Sequence, residues 1–265
     1  MKICVISRDA AYGNGAILSE GLKHFCNVTT IFYYKDPKGM HEQTDCLITR
    51  EIPIADHYIV IGAISMSGLP NRVLENMTVI WTDSTYMFNY KRFNKLVNGS
   101  TVWAMPDLAP LSGTENIYYQ PFILPLVDTE KAELVCHTPF HMSKLPEKGT
   151  RHIVEICKKH NIPLKIIMGK TWIETIKIKA KHKICIDQIY RGLGKSGLEA
   201  MLLGCSVISG EKPQGKVPPI TWTNKDSFEM DLLTLIDNYD KPEQKRWADE
   251  NLKPEVMAEK IFKSL

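Results

Sequence analysis

The 265-residue chain is predicted to be an α/β protein with two parallel-sheet domains. Short apolar runs alternate with helix-length stretches along the chain, a pattern typical of parallel strands connected by helices. The alternation stops at a proline-containing extended segment, residues 119–127, and then starts again. We therefore expect two Rossmann-like domains that face each other, each with helices on both faces of its sheet.

The first half, residues 1–122, is predicted to form one of these domains. It opens on a strand at residues 2–7, where four consecutive apolar residues are stopped by charges. A helix is expected over residues 15–25, because apolar residues including Leu22 and Phe25 recur there at helical spacing. Further strands are predicted at residues 28–33, 58–61, 78–81 and 101–104.

The second half is predicted to form a domain over residues 128–244. Strands are expected at residues 133–137, 164–168, 184–186 and 206–209, and helices at 150–160, 172–180, 196–203 and 227–238. The remaining residues, 245–265, have an amphipathic pattern and predict one C-terminal helix that crosses back to the first domain.

Composition excludes several classes of protein. With 44% hydrophobic and 24% charged residues the chain is globular, and its net charge of +3 permits a polyanionic partner without demanding one. No apolar stretch is long enough to span a bilayer, so no membrane association is expected. Seven cysteines without a Cys-x-x-Cys pair favour a reduced, cytoplasmic protein.

No built-in metal or cofactor is expected from the sequence. His137 and His141 are four residues apart, but Pro139 between them argues against a helical metal-binding pair. Loop or core histidines are the simpler interpretation. No pattern indicates a protein partner either.

A glycine-rich segment in the second half carries the main candidate site. Gly192, Gly194 and Gly197 follow a predicted strand and lead into a helix that begins near Ser196, next to Lys195. Glycines allow a ligand to approach the backbone, and a helix N-terminus presents free N–H groups that favour an anion. Glu199 lies in the first turn of this helix, where its carboxylate can meet ligand hydroxyl groups.

Three other interpretations of this segment exist. A Walker phosphate loop fails on spacing, because its first glycine would have to stand at Ile189. A dinucleotide loop fits the Gly-x-Gly-x-x-Gly string of residues 192–197, although no suitable acid follows about twenty residues later. A purely structural glycine turn is the third interpretation, and it stays open together with the dinucleotide loop.

Residues 191–208 resemble the donor site of nucleotide-sugar glycosyltransferases with two Rossmann domains, the GT-B fold. Their signature, Glu-Gly-x-Gly-x-x-x-x-Glu-Ala-Met-Ala-x-Gly-x-Pro-Val-Ile, is matched at Gly192, Gly194 and Glu199. The resemblance implies that a nucleoside-diphosphate sugar, expected to be a UDP-sugar, is the co-substrate and that Glu199 binds its ribose. Arg191 replaces the first glutamate of the signature, and an arginine at this position can pair with the diphosphate instead.

A second match supports the first. In the same family a strand and a loop are followed by Lys-Gly and a helix, and the lysine contacts the diphosphate. Lys148-Gly149 has this position here. The arginine often found six residues earlier is Met142 in this chain, and Lys144 is its candidate substitute.

The loop after the first strand resembles a further element of this family. Gly13 and Gly15 lie between the first predicted strand and its helix, as does the family's glycine loop near the donor phosphates and sugar. An ordinary strand-to-helix turn explains either glycine equally well.

Asp83 is the candidate catalytic base. It follows the predicted strand 78–81 in a Thr82-Asp83 pair, which resembles a strand of phage DNA β-glucosyltransferases that ends in Thr-Asp. In those enzymes the aspartate deprotonates the hydroxymethyl group of a modified cytosine. A cap of a turn or helix is the alternative role, since Ser, Thr and Asp are common at such positions.

Aromatic and basic residues directly after Asp83 are the candidate acceptor site. Interleaved aromatic and cationic side chains, as at Tyr86, Tyr90, Lys91 and Arg92, suit an extruded base and a phosphate backbone. An amphipathic surface helix would show the same pattern. The predicted function is transfer of a sugar to a 5-hydroxymethylpyrimidine in phage-type DNA. A transferase acting on a glycan, lipid or small molecule, and a non-catalytic nucleotide or dinucleotide binder, are the alternatives.

Overall fold

A computed structural model gives the structure of the protein. It describes residues 1–7, 14–32, 47–48, 51–62, 69–82, 100–106, 113–127, 130–139, 148–212 and 217–265. The chain divides into two compact units. The first contains residues Met1–Ile123 and Asn251–Leu265, and the second contains Leu124–Glu250.

The first unit is built on a parallel sheet of six strands among the described residues. The strands are β1 (Lys2–Ser7), β2 (Asn27–Phe32), β3 (Leu47–Ile48), β4 (His57–Ile61), β5 (Met77–Trp81) and β6 (Thr101–Ala104). Their order in the sheet is β3-β2-β1-β4-β5-β6, the order of a dinucleotide-binding Rossmann sheet. Strand β1 lies at the centre and is buried from Ile3 to Ser7, as its apolar run predicts.

In the described ranges of the first unit there are three helices: α1 (Asn14–Leu22), α2 (Asn71–Leu74) and α8 (Pro254–Phe262). Helix α8 comes from the C-terminal end of the chain and packs on α1 so closely that a Cβ at Gly21 would lie 2.3 Å from the Pro254 carbonyl oxygen. The prediction that the C-terminal segment returns to the first half is confirmed by this contact.

The second unit has its own parallel sheet and hydrophobic core. Its strands are β7 (Glu133–His137), β8 (Leu164–Ile166), β9 (His182–Ile186), β10 (Ser206–Gly210) and β11 (Thr221–Thr223), in the order β11-β10-β9-β7-β8. Its helices are α3 (Thr150–Lys159), α4 (Trp172–Ala180), α5 (Lys195–Leu202), α6 (Phe228–Asp237) and α7 (Pro242–Asn251). One face of the sheet is covered by apolar residues of α3 and α6, including Ile153 and Leu232.

The predicted single C-terminal helix over residues 245–265 is wrong. The structure has two helices, α7 and α8, which are separated at Leu252 and Lys253. Lys253 is extended (φ −72°, ψ 143°) because it precedes Pro254, and proline disfavours the helical conformation of the residue before it. Proline also has no N–H to continue the hydrogen bonds of α7.

Several smaller differences from the predicted elements concern short segments. The sequence pattern did not predict β3, α2 or β11, which have two to four residues each. Helix α1 ends at Leu22, so Phe25 lies beyond it, exposed and stacked on Phe262 with ring centroids 5.6 Å apart. No helix in the described part of the chain is long and apolar enough to cross a membrane.

Candidate functional site

The candidate site of the second unit lies at the carboxyl ends of β7 and β9. From β7 the chain moves to β8 on one side and then returns to β9 on the other, so the order of strands reverses between β7 and β9. Helices that follow two such strands leave towards opposite faces of the sheet and open a crevice, where ligands of parallel sheets bind. The loops leading to α3 and α5 both start at this point.

Lys148 and Asp187 connect these two loops. Asp187 directly follows β9 and is completely buried, and its Oδ1 lies 3.5 Å from Nζ of Lys148. Lys148 also donates a hydrogen bond to the Thr138 carbonyl oxygen, 3.2 Å away, and its carbonyl accepts one from the Ile189 N–H at 3.2 Å. The lysine is therefore held at the start of α3, with its side chain 12% exposed.

His137 joins β7, β9 and α3 beneath this pair. Its Nδ1 lies 2.8 Å from the Ile186 carbonyl oxygen, which can only accept, so Nδ1 carries the proton. Its Nε2 then accepts from the Thr150 hydroxyl group at 2.9 Å. Burial lowers the pKa of His137 to about 4, and the ring is neutral at pH 7. His137 is thus a structural core histidine with both nitrogens in use.

The glycines at the start of α5 pack around the Asp187 carboxylate. Oδ2 of Asp187 accepts a hydrogen bond from the Gly194 N–H at 2.6 Å. A Cβ at Gly197 would lie 3.1 Å from the same oxygen and 2.4 Å from Cδ1 of Leu193. The space beside these two glycines is therefore occupied by side chains of the protein itself. This close packing explains why residues without a side chain stand at these two positions.

Glu199 lies in α5 and is almost completely buried. Its Oε2 accepts from Lys179 Nζ at 2.7 Å, and its Oε1 accepts from the Trp172 indole N–H at 2.9 Å. Burial alone would raise the pKa of Glu199. The charges of Lys179 and Lys195 outweigh that effect and, with the hydrogen bonds from Lys179 and Trp172, hold the pKa below its usual value. Glu199 is therefore an ionised carboxylate.

Lys195 and Ser196 begin helix α5. Nζ of Lys195 lies 3.9 Å from Oε1 of Glu199 and its side chain is 27% exposed. Among the described residues, the Ser196 hydroxyl has no hydrogen-bond partner although it is buried. A buried hydroxyl group at a helix N-terminus can donate a hydrogen bond to an anion, which the helix dipole also favours there.

The other predicted site residues fall into two groups. Arg191 is half-buried, and the buried Gly192 accepts a hydrogen bond through its carbonyl from Gln188 Nε2. Gly15 lies at the start of α1, where a Cβ would be 2.8 Å from Cβ of Ser7. The remaining residues lie outside the described part of the chain: Gly13, Asp83, Tyr86, Tyr90, Lys91, Arg92 and Lys144.

Sequence reasoning missed three residues that shape this site, Asp187, Lys179 and Trp172. Asp187 was visible as a charged residue at the end of an apolar strand, where ligands of parallel sheets bind. Lys179 and Trp172 lie 20 and 27 residues before Glu199 in the chain, so their contacts have no local signal. Within the described ranges no group of three or more His, Cys, Asp or Glu side chains could hold a metal ion.

Several solved structures are similar to this chain over its full length. Anabaena HepE in complex with UDP and glucose is 12% identical, with a TM-score of 0.65 over 100% of this chain and 99% of that chain. Sucrose-phosphate synthase from Thermosynechococcus elongatus is 10% identical, with a TM-score of 0.62 over 100% and 98%. UDP-GlcNAc 2-epimerase from Neisseria meningitidis bound to UDP-GlcNAc is 12% identical, with a TM-score of 0.52 over 100% and 99%.

No protein-family model matches the chain, and no curated protein matches it. The similarity to the solved structures is therefore one of fold. Each of the two units is a Rossmann-like parallel sheet covered by helices, and the full length of the chain follows these structures. The protein has the GT-B fold, and the fold class predicted from its sequence is confirmed.

Proposed function

We propose that the protein is a glycosyltransferase that takes its sugar from a nucleoside-diphosphate sugar, in particular a UDP-sugar. One observation carries this proposal: Lys148 and the start of α5 meet at Asp187, at the strand reversal between β7 and β9, and the ionised Glu199 lies further along the same helix. A diphosphate requires cations and hydrogen-bond donors, whereas a ribose requires a hydrogen-bond acceptor. Lys148 and the Ser196 hydroxyl group supply the first kind of group, and Glu199 supplies the second.

The diphosphate is assigned to the start of α5 and the lysine across from it. Lys148, Lys195 and Arg191 supply positive charge, the Ser196 hydroxyl group supplies a hydrogen bond, and the dipole of α5 adds partial positive charge. Gly192 and Gly194 form the turn that leads into the helix. Lys144 is proposed as an additional cation on the basis of the sequence resemblance alone.

Glu199 is assigned to the ribose. A carboxylate has about four acceptor positions, and Lys179 and Trp172 use one on each oxygen. One position therefore remains on each oxygen, which matches the two neighbouring hydroxyl groups of a ribose. The negative charge of Glu199 makes these hydrogen bonds stronger than those of a neutral acceptor.

The proposed reaction is a substitution at the anomeric carbon of the sugar. Asp83 removes the proton from the acceptor hydroxyl group, and the oxygen forms the new bond to the anomeric carbon. The bond from that carbon to the diphosphate oxygen breaks, and the nucleoside diphosphate leaves with the electron pair. Gly13 and Gly15 are proposed to line the donor phosphates and sugar. The cations around α5 stabilise the charge that develops on the leaving group.

The acceptor is proposed to be a 5-hydroxymethylpyrimidine in DNA. The Thr82-Asp83 pair and the following Tyr86, Tyr90, Lys91 and Arg92 support this choice through sequence alone. Binding of such an acceptor should weaken steeply with added salt, because the protein displaces counterions from the phosphates. A transferase for a glycan, lipid or small molecule would show a flat response to salt.

The decisive experiment supplies donor and acceptor together. The protein is incubated with UDP-glucose, UDP-GlcNAc and other nucleotide sugars and with DNA containing hydroxymethyluracil or hydroxymethylcytosine, and the nucleosides are analysed by mass spectrometry. A glycosylated nucleoside and free UDP are expected. Binding of NAD(H) without binding of UDP in calorimetry would overturn the transferase and favour a dinucleotide binder. Conversion of the sugar nucleotide to its epimer would instead indicate an epimerase.

A further inference from the structure

Lys179 is a lysine buried inside the second unit. It lies in the last turn of α4 and has no exposed surface, which makes it one of the largest fully buried side chains among the described residues. A lysine is rarely buried in this way unless its charge is paired, because removing an ammonium group from water is energetically costly. A lysine at this position therefore needs a specific reason.

The hydrogen bonds of the Lys179 ammonium group lead to helix α5. Its Nζ donates to Oε2 of Glu199 at 2.7 Å and to the carbonyl oxygen of Ser196 at 3.1 Å. One ammonium group thus holds a carboxylate and the backbone of the first turn of the same helix. These are the two parts of α5 that the proposed function assigns to the ribose and to the diphosphate.

Stability is a weak explanation for this pair. A buried ion pair commonly contributes no more to stability than apolar residues of similar volume, because desolvation opposes the attraction of the charges. What the pair does set is the charge and direction of the carboxylate. Burial would lower the pKa of Lys179, but the charge of Glu199 raises it above its usual value, so both partners stay charged.

We propose that Lys179 is a positioning residue of the nucleotide site, which acts through Glu199. It keeps the Glu199 carboxylate ionised and fixes its oxygens, so that two hydrogen bonds can be accepted from the ribose hydroxyl groups. Without Lys179 the buried carboxylate would take up a proton or turn towards water, and its ability to accept these hydrogen bonds would fall. This inference rests on the proposed function.

A double-mutant cycle with UDP as the ligand tests the proposal. Dissociation constants are measured by calorimetry for the wild-type protein, Glu199→Gln, Lys179→Met and the double variant. Glu199→Gln is expected to weaken UDP binding about ten- to a hundredfold, the effect of a lost charged hydrogen bond. Lys179→Met is expected to weaken binding to a similar extent.

The double variant gives the decisive comparison. If Lys179 acts through Glu199, adding Lys179→Met to Glu199→Gln changes the dissociation constant by less than about threefold. Effects that multiply instead would overturn the proposal, as would a Lys179→Met protein that binds UDP like the wild type. A purely structural lysine would affect UDP binding regardless of the residue at position 199.

Two controls keep the result interpretable. Lys177→Met removes an exposed lysine from the same helix and should leave UDP affinity unchanged. Lys179→Met alone leaves Glu199 as an unpaired buried charge, and this variant can fail to fold for that reason. In that case the double variant, which is neutral at both positions, is compared with Glu199→Gln. This comparison is sufficient to test whether Lys179 acts through Glu199. UDP binding by the wild-type protein is measured before any variant is compared. A wild-type protein that does not bind UDP overturns the proposed function itself.

Discussion

Nζ of Lys148 lies 3.5 Å from Oδ1 of the completely buried Asp187, and this pair connects the loops that follow β7 and β9. The other oxygen of Asp187 accepts the Gly194 N–H at 2.6 Å. One carboxylate therefore sets both the position of a lysine before α3 and the start of α5. A substitution at Asp187 should therefore disturb both Lys148 and the start of α5, the two parts of the site that are proposed to hold the diphosphate.

Asp187→Ala is expected to lower the free energy of unfolding by about 1–3 kcal/mol, because the Gly194 N–H loses its acceptor and Lys148 loses its charge partner. Asp187→Asn should cost less, since the amide oxygen still accepts from Gly194. Urea denaturation measures both variants. Asp226→Ala, at an exposed position, is the control and should lie within about 0.5 kcal/mol of the wild type. Equal stability of Asp187→Ala and the wild type would contradict the structural role.

Lys148→Met is expected to weaken UDP binding about ten- to a hundredfold, because the cation that is proposed to contact the diphosphate is lost. Lys148→Arg should retain most of the affinity, since the positive charge remains. Lys158→Met is the matched control, because Lys158 is exposed near the other end of α3. Calorimetric titration with UDP distinguishes the three variants. Identical affinity of Lys148→Met and Lys158→Met would remove Lys148 from the diphosphate site.

Local patterns in the sequence were sufficient to predict the fold class and most elements of both sheets. The apolar run at β1 and the glycine turn before α5 are examples, because their signals lie within a few neighbouring residues. The same turn predicted Glu199 in the first turn of that helix, but the helix begins at Lys195, and Glu199 is the fifth of its eight residues. These features depend on hydrophobic periodicity and turn chemistry, which a single sequence contains.

Contacts between residues far apart in the chain were not predictable in this way. Lys148 and Asp187 are 39 positions apart, and Gly21 meets Pro254 across nearly the whole chain. The burial of Lys179 was equally hidden, because its helix pattern is that of an ordinary surface helix with lysines in its last turn. Which charges are buried depends on how helices pack, and that information lies in the tertiary structure.

His137 should make stability depend on pH in the acid range. Its pKa is about 4 in the folded protein, below the ordinary value of 6.5, so the unfolded chain binds the proton more readily. The contribution of His137 is complete above pH 6.5 and is lost as the pH falls towards 4. At 1.36 kcal/mol per pH unit this amounts to on the order of 3 kcal/mol.

The His137→Gln variant isolates this effect. Its free energy of unfolding is measured by urea denaturation at pH 7 and pH 4.5, next to that of the wild type. The variant is expected to be less stable at pH 7 but to lose less stability on acidification, because glutamine does not titrate. If the two proteins lose the same stability between these pH values, His137 is not the responsible group.

Gly21→Ala is expected to destabilise the first unit by about 1–3 kcal/mol, although alanine is the better helix former. The new Cβ would lie 2.3 Å from the Pro254 carbonyl oxygen and 2.9 Å from Cβ of Ala258, so α8 would have to move away from α1. Gly113→Ala is the comparison for backbone strain without crowding. Gly113 has a positive φ of 68°, which disfavours alanine, but no atom lies within 4 Å of the new Cβ. A stabilised Gly21→Ala protein would contradict the close packing of the two helices.

Asp83→Asn separates the proposed base from the donor site. The substitution should leave UDP affinity unchanged, because Lys148, α5 and Glu199 all belong to the second unit. Sugar transfer is expected to fall about 10²–10⁴-fold, the usual contribution of a general base, since an amide cannot take the proton of the acceptor hydroxyl group. Asp56→Asn, at an exposed position of the same unit, serves as the control. Full transfer activity in Asp83→Asn would exclude Asp83 as the base, whereas a loss of UDP binding would indicate that Asp83 supports the donor site instead.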